Sequence, residues 1–300
     1  MTKTLQTVNN EFLADHVIGD NSVLPTVCAI AWMADSAESL FPEYRYQGLE
    51  NYKLFKGVVF DGNEANDYAI DLSVNEKKTV DTQLVIDARI SSLNAKGKPV
   101  FHYASELHLI AKNSTLDLKD AQLSKSHTEC LNADIINGNF EDSTVNEAAD
   151  FYSNGTLFHG ESLQGIKAIL ECDQNGLLLA CQVPPTAIAK QGDFPLEKHN
   201  VFANDLVYQS MLVWVRKQLS MGSLPSSTKT WTCYREVAVD ELFYLQLVVV
   251  EQSDSKLIAD INLLDTNKQL LAEIKSAEVT VSESLNDLFS AKSNKIQVAG

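Results

Sequence analysis

The sequence predicts an α+β protein in which two antiparallel sheets each wrap around one long central helix. Two apolar segments of helical length lie far apart in the chain, and segments with strand-like character follow each of them. A helix that is apolar on nearly all sides must be surrounded by other parts of the protein. The order of elements, one wrapped helix and then an antiparallel sheet, therefore occurs twice.

The first helix is predicted directly after Pro25, because proline suits the first position of a helix. Strands are expected over 44–60, 68–74, 80–90 and 100–111. Apolar residues occupy alternate positions of segment 80–90, which is typical of a half-buried strand. The helix itself is apolar around most of its circumference, through Val27, Ile30, Ala31, Trp32, Met33, Ala34 and Ala37.

The second helix is predicted over 204–219, with Asn204 and Asp205 as its N-terminal residues. Arg216 and Lys217 fall in its last turn, where basic side chains favour the helix dipole. A hairpin signal, Asp-Gln-Asn-Gly, precedes a strand over 177–183. Three further strands, over 242–251, 256–264 and 269–281, are separated by short polar turns and form a meander.

The polar segment 112–146 is the best candidate for a linker, so we place a boundary near residue 145. The halves are then 1–145 and 146–300. A sheet curled around one long helix is the hotdog arrangement, and two in tandem make a double hotdog. The element pattern alone also fits other α+β folds.

Composition and charge narrow the classes of function. The 300 residues are 45% hydrophobic, which is enough for a sizeable core. A net charge of −16 argues against nucleic acid and against an anionic membrane surface. The five cysteines form no Cys-x-x-Cys pair, so we expect free thiols, no zinc site and a reducing cytoplasm. No signal peptide or transmembrane run is expected.

Segment 12–25, FLADHVIGDNSVLP, resembles the first catalytic motif of polyketide-synthase dehydratase domains. His16 and Pro25 match that motif, in which a proline follows the histidine by nine positions. The glycine of the motif is expected four residues after the histidine. In this chain Asp20 holds that position and the glycine is Gly19, a departure that affects the loop beside the histidine.

Three further segments resemble the same family in the expected order. In NDLVYQ, Asp205 and Gln209 match an aspartate followed four residues later by Gln or His. In LFHGESLQG, which contains Phe158 and Gly160, Glu161 replaces the proline of an aromatic-Gly-Pro motif. A Leu-Pro pair follows the second helix. The wording of the first motif is most similar to dehydratase domains of bacterial polyunsaturated fatty acid synthases.

The resemblance implies a hydro-lyase that converts a 3-hydroxyacyl thioester into a trans-2-enoyl thioester. His16 would be the base, because imidazole is largely neutral near pH 7. Asp205 would be the acid, kept protonated by apolar surroundings. Gln209, one helical turn further on, would hydrogen-bond either Asp205 or the leaving hydroxyl group.

The same resemblance implies a substrate-binding set, a partner and the absence of cofactors. Backbone N–H groups of Val27 or Cys28 would polarise the thioester carbonyl. An acyl carrier protein, supplied in cis with other synthase domains, would carry the substrate, and the chain would be a fragment of a larger synthase. No metal or redox cofactor is required. The residues expected to bind substrate are Gly19, Pro25, Val27, Cys28, Phe158 and Gly160.

Other interpretations stay open at this point. Taken alone, His16 fits a loop histidine and Asp205 fits a helix N-terminus. The departures at Asp20 and Glu161 keep a catalytically silent double hotdog, an acyl-binding or structural domain, as the alternative. A hotdog thioesterase is disfavoured, because the spacing from histidine to proline resembles dehydratases.

The remaining histidines are weaker candidates for a site. His102, His108 and Glu106 share one face of a strand, which favours a polar, solvated face over a metal site. His159 is interpreted as structural. His199 precedes the second helix and is expected to help to cap it.

Overall fold

The computed structural model describes residues 1–62, 67–79, 82–114, 151–183, 190–194 and 198–289. Within these residues, one antiparallel sheet of eleven strands runs through the molecule beside a separate sheet of three strands. The first half contains helix α1 (Thr26–Leu40) and strands β1 (Thr2–Thr4), β2 (Val17–Ile18), β3 (Asn21–Val23), β4 (Tyr44–Leu54), β5 (Val59–Phe60), β6 (Asp67–Val74), β7 (Gln83–Leu93) and β8 (Pro99–Ala111). The second half contains helix α2 (Val201–Leu219) and strands β9 (Ile166–Asp173), β10 (Gly176–Gln182), β11 (Gly222–Cys233), β12 (Leu242–Gln252), β13 (Lys256–Leu264) and β14 (Leu270–Ser282).

Helix α1 is wrapped by the first half as the sequence predicts. Every residue from Thr26 to Ala34 is buried, and the helix packs against β4, β7, β8 and α2. Pro25 precedes the first helical residue rather than being it, and its carbonyl accepts the N–H of Cys28 at 3.0 Å. The proline therefore fixes where the helix begins.

Helix α2 begins at Val201, three residues earlier than predicted. The side chain of Asn200 caps it by accepting the N–H of Ala203 at 3.0 Å, which satisfies an N–H group without an intrahelical partner. Asp205 consequently lies beyond the first turn, on a buried face, and is not a residue of the helix N-terminus. The helix packs against five strands of the second half, β9 to β13.

Strand β11 was not predicted, although it joins the two halves. It pairs with β14 on one side and with β4 on the other, so the eleven strands run in the order β1-β6-β7-β8-β4-β11-β14-β13-β12-β10-β9. At this seam Gly48 lies opposite Thr232, and an added Cβ would overlap the carbonyl oxygen of Trp231. The absence of a side chain at Gly48 lets the two halves approach closely.

The three-stranded sheet, β2-β3-β5, holds the loop that follows His16. A two-residue turn, Gly19-Asp20, joins β2 to β3, and Gly19 has a φ of +64°. Glycine is favoured at such a left-handed position. The shift of the glycine by one residue from the family pattern therefore fits a tight hairpin.

The position of the domain boundary stays a prediction. Residue 145 and most of the polar segment 112–146 lie outside the described residues. Among the described strands, those of the first half end by Ala111 and those of the second half begin at or after Ile166. In the described parts of the chain, no helix has the length and apolar character needed to cross a membrane.

Candidate active site

A cavity of about 290 Å³ lies between the two halves of the molecule. Its walls are mainly apolar, and they include Ile18, Val23, Leu24, Leu54, Val59, Phe158, Leu212, Leu224 and Pro225. Its polar lining consists of His16, Thr26, His159, Asp205, Tyr208, Gln209 and Ser223. The structure thus brings together residues that are far apart in sequence, in a largely apolar setting with a few convergent polar groups, as in many ligand sites.

His16 is held with one ring nitrogen fixed. It directly follows a short 3-10 helix, Glu11–Asp15, and is only 8% exposed. Its Nδ1 lies 2.7 Å from the carbonyl oxygen of Val23. A carbonyl can only accept, so Nδ1 carries the hydrogen and the neutral ring presents Nε2 as an unprotonated nitrogen. This tautomer is the one that a general base needs.

Asp205 lies on α2 and is 4% exposed. Burial raises the pKa of its carboxyl group, while the charge of His16 when that ring is protonated and a hydrogen bond from Gln209 act in the opposite direction; the net pKa is above the ordinary value. Desolvation favours the neutral acid over the carboxylate. Oδ2 accepts the Gln209 bond, an arrangement that favours the acid proton on Oδ1.

Gln209 positions Asp205 through a fully occupied side-chain amide. Its Nε2 donates to the carbonyl of Leu163 and to Oδ2 of Asp205, both at 2.9 Å. Its Oε1 accepts from the hydroxyl group of Tyr152 at 2.9 Å, and that hydroxyl accepts the N–H of Ile166 at 3.1 Å. Of the two roles open for Gln209, the bond to Asp205 is the one observed. The sequence carried no signal for Tyr152.

His159 also lines the cavity, and its interpretation as a structural residue stays a prediction. Its Nε2 is 3.4 Å from Oδ2 of Asp205, and its ring stacks on Phe158 with centroids 4.1 Å apart. The rings of His16 and His159 are 5.3 Å apart. The carboxyl group of Asp205 is therefore near two imidazoles. These three residues have the geometry of a metal site, but an ion there would occupy the groups that acid–base chemistry needs.

A clasp between the halves holds the loop that carries Phe158 and His159. Oδ2 of Asp15 accepts both the N–H and the hydroxyl group of Ser162, at 3.0 and 2.5 Å. The N–H of Gly160 donates to the carbonyl of Asp15 at 2.7 Å, and an added Cβ would overlap the Asp15 side chain. This clasp restrains the loop, and Glu161 simply begins the short 3-10 helix Glu161–Leu163.

Several residues expected to bind substrate lie outside the cavity lining. Among that set, Phe158 lines the cavity, whereas Gly19, Pro25 and Gly160 have the backbone roles described above. The N–H of Cys28 already donates to Pro25, so it is not free to polarise a thioester carbonyl. Val27 lines a different, small cavity of about 20 Å³.

Ser223 is a cavity residue that sequence reasoning missed. It is 4% exposed, and its hydroxyl group has no hydrogen-bond partner within the described ranges. It directly precedes the Leu224-Pro225 pair, which was the only signal near it. A buried hydroxyl group without a partner at the cavity wall is available to a ligand.

The prediction of a solvated face for His102 is wrong. A bulge between β7 and β8 turns this residue inward, where it is fully buried. Its ring nitrogens contact the carbonyl of Lys56 at 2.9 Å and the hydroxyl group of Ser92 at 2.8 Å. His108 and Glu106, by contrast, are half-buried on the outer face of the strand.

Comparisons with known proteins identify the family and the fold. A family model for the polyketide synthase dehydratase N-terminal domain matches residues 141–288. A polyunsaturated fatty acid synthase protein of Thraustochytrium sp., one component of that synthase, is 31% identical over 241 residues, which are 80% of this chain. The chain spans only 8% of the length of that protein.

Solved structures match the fold over nearly its whole length. A dehydratase domain of a trans-AT polyketide synthase from Brevibacillus brevis matches with a TM-score of 0.71 and 19% identity, over 94% of this chain and 93% of that one. Two CurK dehydratase variants match with TM-scores of 0.65 and 0.66 and identities of 15% and 16%, over 96% of this chain and 92% of theirs. Both are described as inactive mutants, one with Asp replaced by Asn and one with His replaced by Phe. The structural matches show the double-hotdog fold that the sequence predicts. On the family-model match and the 31% identity to the synthase component, the chain belongs to the dehydratase-domain family of polyketide synthases.

Proposed function

We propose that this domain removes water from a 3-hydroxyacyl thioester to give a trans-2-enoyl thioester, with His16 as the base and Asp205 as the acid. One observation carries the proposal: a buried imidazole with Nε2 unprotonated and a buried carboxyl group with a raised pKa line one apolar cavity. Pairs of groups whose environments separate their protonation states are typical of acid–base sites.

The proposed steps balance in atoms and charge. Nε2 of His16 takes the proton from C2 of the substrate, and the electron pair forms the C2–C3 double bond. Oδ1 of Asp205 gives its proton to the C3 hydroxyl group, which leaves as water. The imidazolium and carboxylate that result attract each other in the apolar cavity, and a proton transfer between them restores the starting state.

Two further residues have supporting roles in this proposal. Gln209 holds Asp205 and is a positioning residue, because both of its amide hydrogens are occupied within the protein. Ser223 takes the role first expected of Val27 and Cys28 and donates to the thioester carbonyl. None of these steps uses a metal ion or a redox cofactor.

The proposal extends to a carrier and a cellular context. The matched relative is a component of a synthase, and this chain spans a small part of it, so we assign the substrate to an acyl carrier protein within the same synthase, in the cytoplasm. A carrier in cis suits a domain with a net charge of −16, because a tethered partner needs little electrostatic attraction.

A mass-spectrometric dehydration assay tests the function and both residues together. The substrate is a short 3-hydroxyacyl thioester on a carrier protein or on a pantetheine mimic. We expect His16→Ala and Asp205→Asn each to lower turnover by about 10²–10⁴-fold, the usual contribution of a general acid or base. His108→Ala and Asp240→Asn are the matched controls outside the cavity, and they retain wild-type turnover.

The other outcomes identify the alternatives. A folded wild-type protein that neither dehydrates the hydroxyacyl substrate nor hydrates the enoyl product, across several chain lengths, would be an acyl-binding or structural domain. Release of free thiol from the substrate would indicate a thioesterase.

A further inference from the structure

A second cluster of ionisable side chains lies away from the catalytic cavity, between α1 and the chain that enters α2. Asp35 and Glu38 are three residues apart on α1, so both project from one face of the helix. His199 directly precedes the residue that caps α2. One ligand atom from each of these three residues lies within 4.8 Å of the others.

The ring of His199 is oriented like that of a metal ligand. The residue is 7% exposed, and its Nδ1 lies 3.3 Å from Oε1 of Glu236. Its Nε2 has no hydrogen-bond partner among the described residues, and Oδ1 of Asp35 is 3.7 Å away, beyond hydrogen-bond range. Metal-binding histidines usually bond a carboxylate through the other ring nitrogen, which fixes the tautomer and orientation of the ring.

The carboxylates of Asp35 and Glu38 lie near Nε2 of His199, and each keeps an oxygen atom that can bind a ligand. Oε1 of Glu38 accepts the N–H of Tyr46 at 2.5 Å, which leaves its second oxygen for a ligand. Oδ1 of Asp35 has no hydrogen-bond partner within the described ranges. Lys198 lies 3.4 Å from that oxygen, but its side chain is 48% exposed and free to turn into solvent.

The charge of the cluster is unbalanced. Asp35, Glu38 and Glu236 supply three carboxylates, and Lys198 is the one ammonium group paired with them in the described part of the chain. Although burial acts in the opposite direction, Glu236, Asp35 and Glu38 raise the pKa of His199, so without a metal ion a proton on its ring offsets one negative charge. With the neutral imidazole that metal binding requires, the cluster carries an excess of two negative charges. Charges at partly buried positions are costly unless they are paired or bind a metal ion. One divalent cation would balance this excess.

We propose that Asp35, Glu38 and His199 bind one divalent transition metal ion of the Zn²⁺ class, with water completing its coordination and Glu236 as a positioning residue. Imidazole with carboxylates is a ligand set of zinc, whereas Mg²⁺ and Ca²⁺ prefer oxygen ligands alone. The sequence-based expectation of no zinc site rested on the spacing of the cysteines. That expectation does not apply to this ligand set, because the set contains no cysteine. The bound ion would connect the helix of the first half to the start of α2.

The test is Zn²⁺ titration by calorimetry, with untagged wild-type protein and single variants at neutral pH. We expect one ion per chain in this site, weakened at least about 10-fold by His199→Gln or Asp35→Asn, and about 10-fold by Glu236→Gln, the usual effect of losing a supporting carboxylate. Glu38→Gln serves as the further ligand variant if His199→Gln does not fold. Zn²⁺ should raise the melting temperature of the wild type and not that of His199→Gln.

Co²⁺ absorption spectra and two control variants locate the ion. We expect visible d–d bands without a thiolate band, because Cys233, which lies near Glu236, is not a ligand. His16→Ala and Asp205→Asn should retain the tight site, because the second metal-like group of His16, His159 and Asp205 is separate. The proposal is overturned if wild type does not bind at millimolar Zn²⁺, if the ligand variants bind as tightly as wild type, or if His16→Ala abolishes the site.

Discussion

Asp205 is surrounded by groups with opposing effects on its ionisation. Burial on α2 favours the neutral acid, while a protonated His16 and the bond from Gln209 favour the carboxylate, and the net effect is a raised pKa. An acid for dehydration must hold its proton at neutral pH and release it in the transition state. His16 and Gln209 lower the pKa of Asp205 by less than burial raises it, so the carboxyl group holds its proton but can still transfer it. The contacts that position Asp205 therefore also set its acidity.

The raised pKa of Asp205 predicts how stability depends on pH. A carboxyl group with a raised pKa in the folded state contributes stability below its unfolded pKa, and this contribution is lost as pH rises through the folded pKa. The Asp205→Asn variant does not lose stability in this way, because the asparagine side chain does not ionise. We therefore expect its free energy of unfolding to exceed that of the wild type at neutral pH, with a difference that shrinks as pH falls below the ordinary carboxyl pKa.

Urea unfolding at several pH values measures this difference, with the surface variant Asp240→Asn as a control that shows none. A lower stability of Asp205→Asn than of wild type at neutral pH would show that folding lowers the pKa of Asp205 instead of raising it. In the wild-type enzyme, kcat/KM should fall on the alkaline side as Asp205 ionises.

Tyr152→Phe tests the positioning of Gln209. The variant leaves Oε1 of Gln209 and the N–H of Ile166 without partners, at a cost of about 1–3 kcal/mol for a buried unsatisfied group. Because the Gln209 bond lowers the pKa of Asp205, a loosened amide should move the alkaline limb of the pH–rate profile to higher pH and lower kcat more than it raises KM.

Tyr46→Phe is the matched control for this dehydration assay, since the Tyr46 hydroxyl group is buried with no hydrogen-bond partner in the described part of the chain. A loss of stability in Tyr152→Phe with an unchanged pH profile would limit Tyr152 to a structural role.

At the scale of elements, regular alternation made most strands predictable and irregular pairing hid the rest. Strands β7, β12, β13 and β14 were predicted because apolar residues mark their buried face. Strand β11 was missed because it contains Pro225 and a run of small polar residues, and the structure accommodates them at a bulge. The bulge at His102 could not be predicted either, because pairing between strands, and not the local sequence, decides where the register of a strand shifts.

Gly48→Ala tests the seam between β4 and β11. A Cβ at this position would overlap the carbonyl oxygen of Trp231, so the strands must separate. We expect a loss of about 1–3 kcal/mol in the free energy of unfolding, the usual cost of overpacking. Gly57→Ala is the matched control, because its Cβ would lie 3.9 Å from Val23 at ordinary contact distance. Equal stability of the two variants, measured by urea unfolding, would contradict the role of Gly48.

At the scale of the whole molecule, the site exists only where the two halves meet. The first half supplies His16 and the second half supplies Asp205 and Gln209. Short motifs predicted these residues, because their spacing is local. The contacts of Asp15 with Ser162 and of His159 with His16 depend on how loops from different halves meet. The positions of Tyr152 and Ser223 depend on packing within the second half, and no local pattern records either kind of contact.

One continuous core extends through both halves, so we expect them to unfold together. The three tryptophans provide the probes, because Trp32 lies on α1 and Trp214 on α2. Two variants are needed, one that retains only Trp32 and one that retains only Trp214. In each variant, the denaturant midpoint from tryptophan fluorescence should equal the midpoint from circular dichroism, which reports on the whole molecule. Two separate midpoints within one variant would show that the halves are independent folding units.

The seam of β4 and β11 also sets a condition for hybrid enzymes. A crossover between the halves would inherit the base from one parent and the acid from the other. Such a hybrid would have to match its parents at two residue pairs that touch across the halves, Gly48 with Trp231 and Asp15 with Gly160. Parents that agree at these pairs should recombine well even when their overall identity is low, whereas close relatives that differ there should yield misaligned, inactive products.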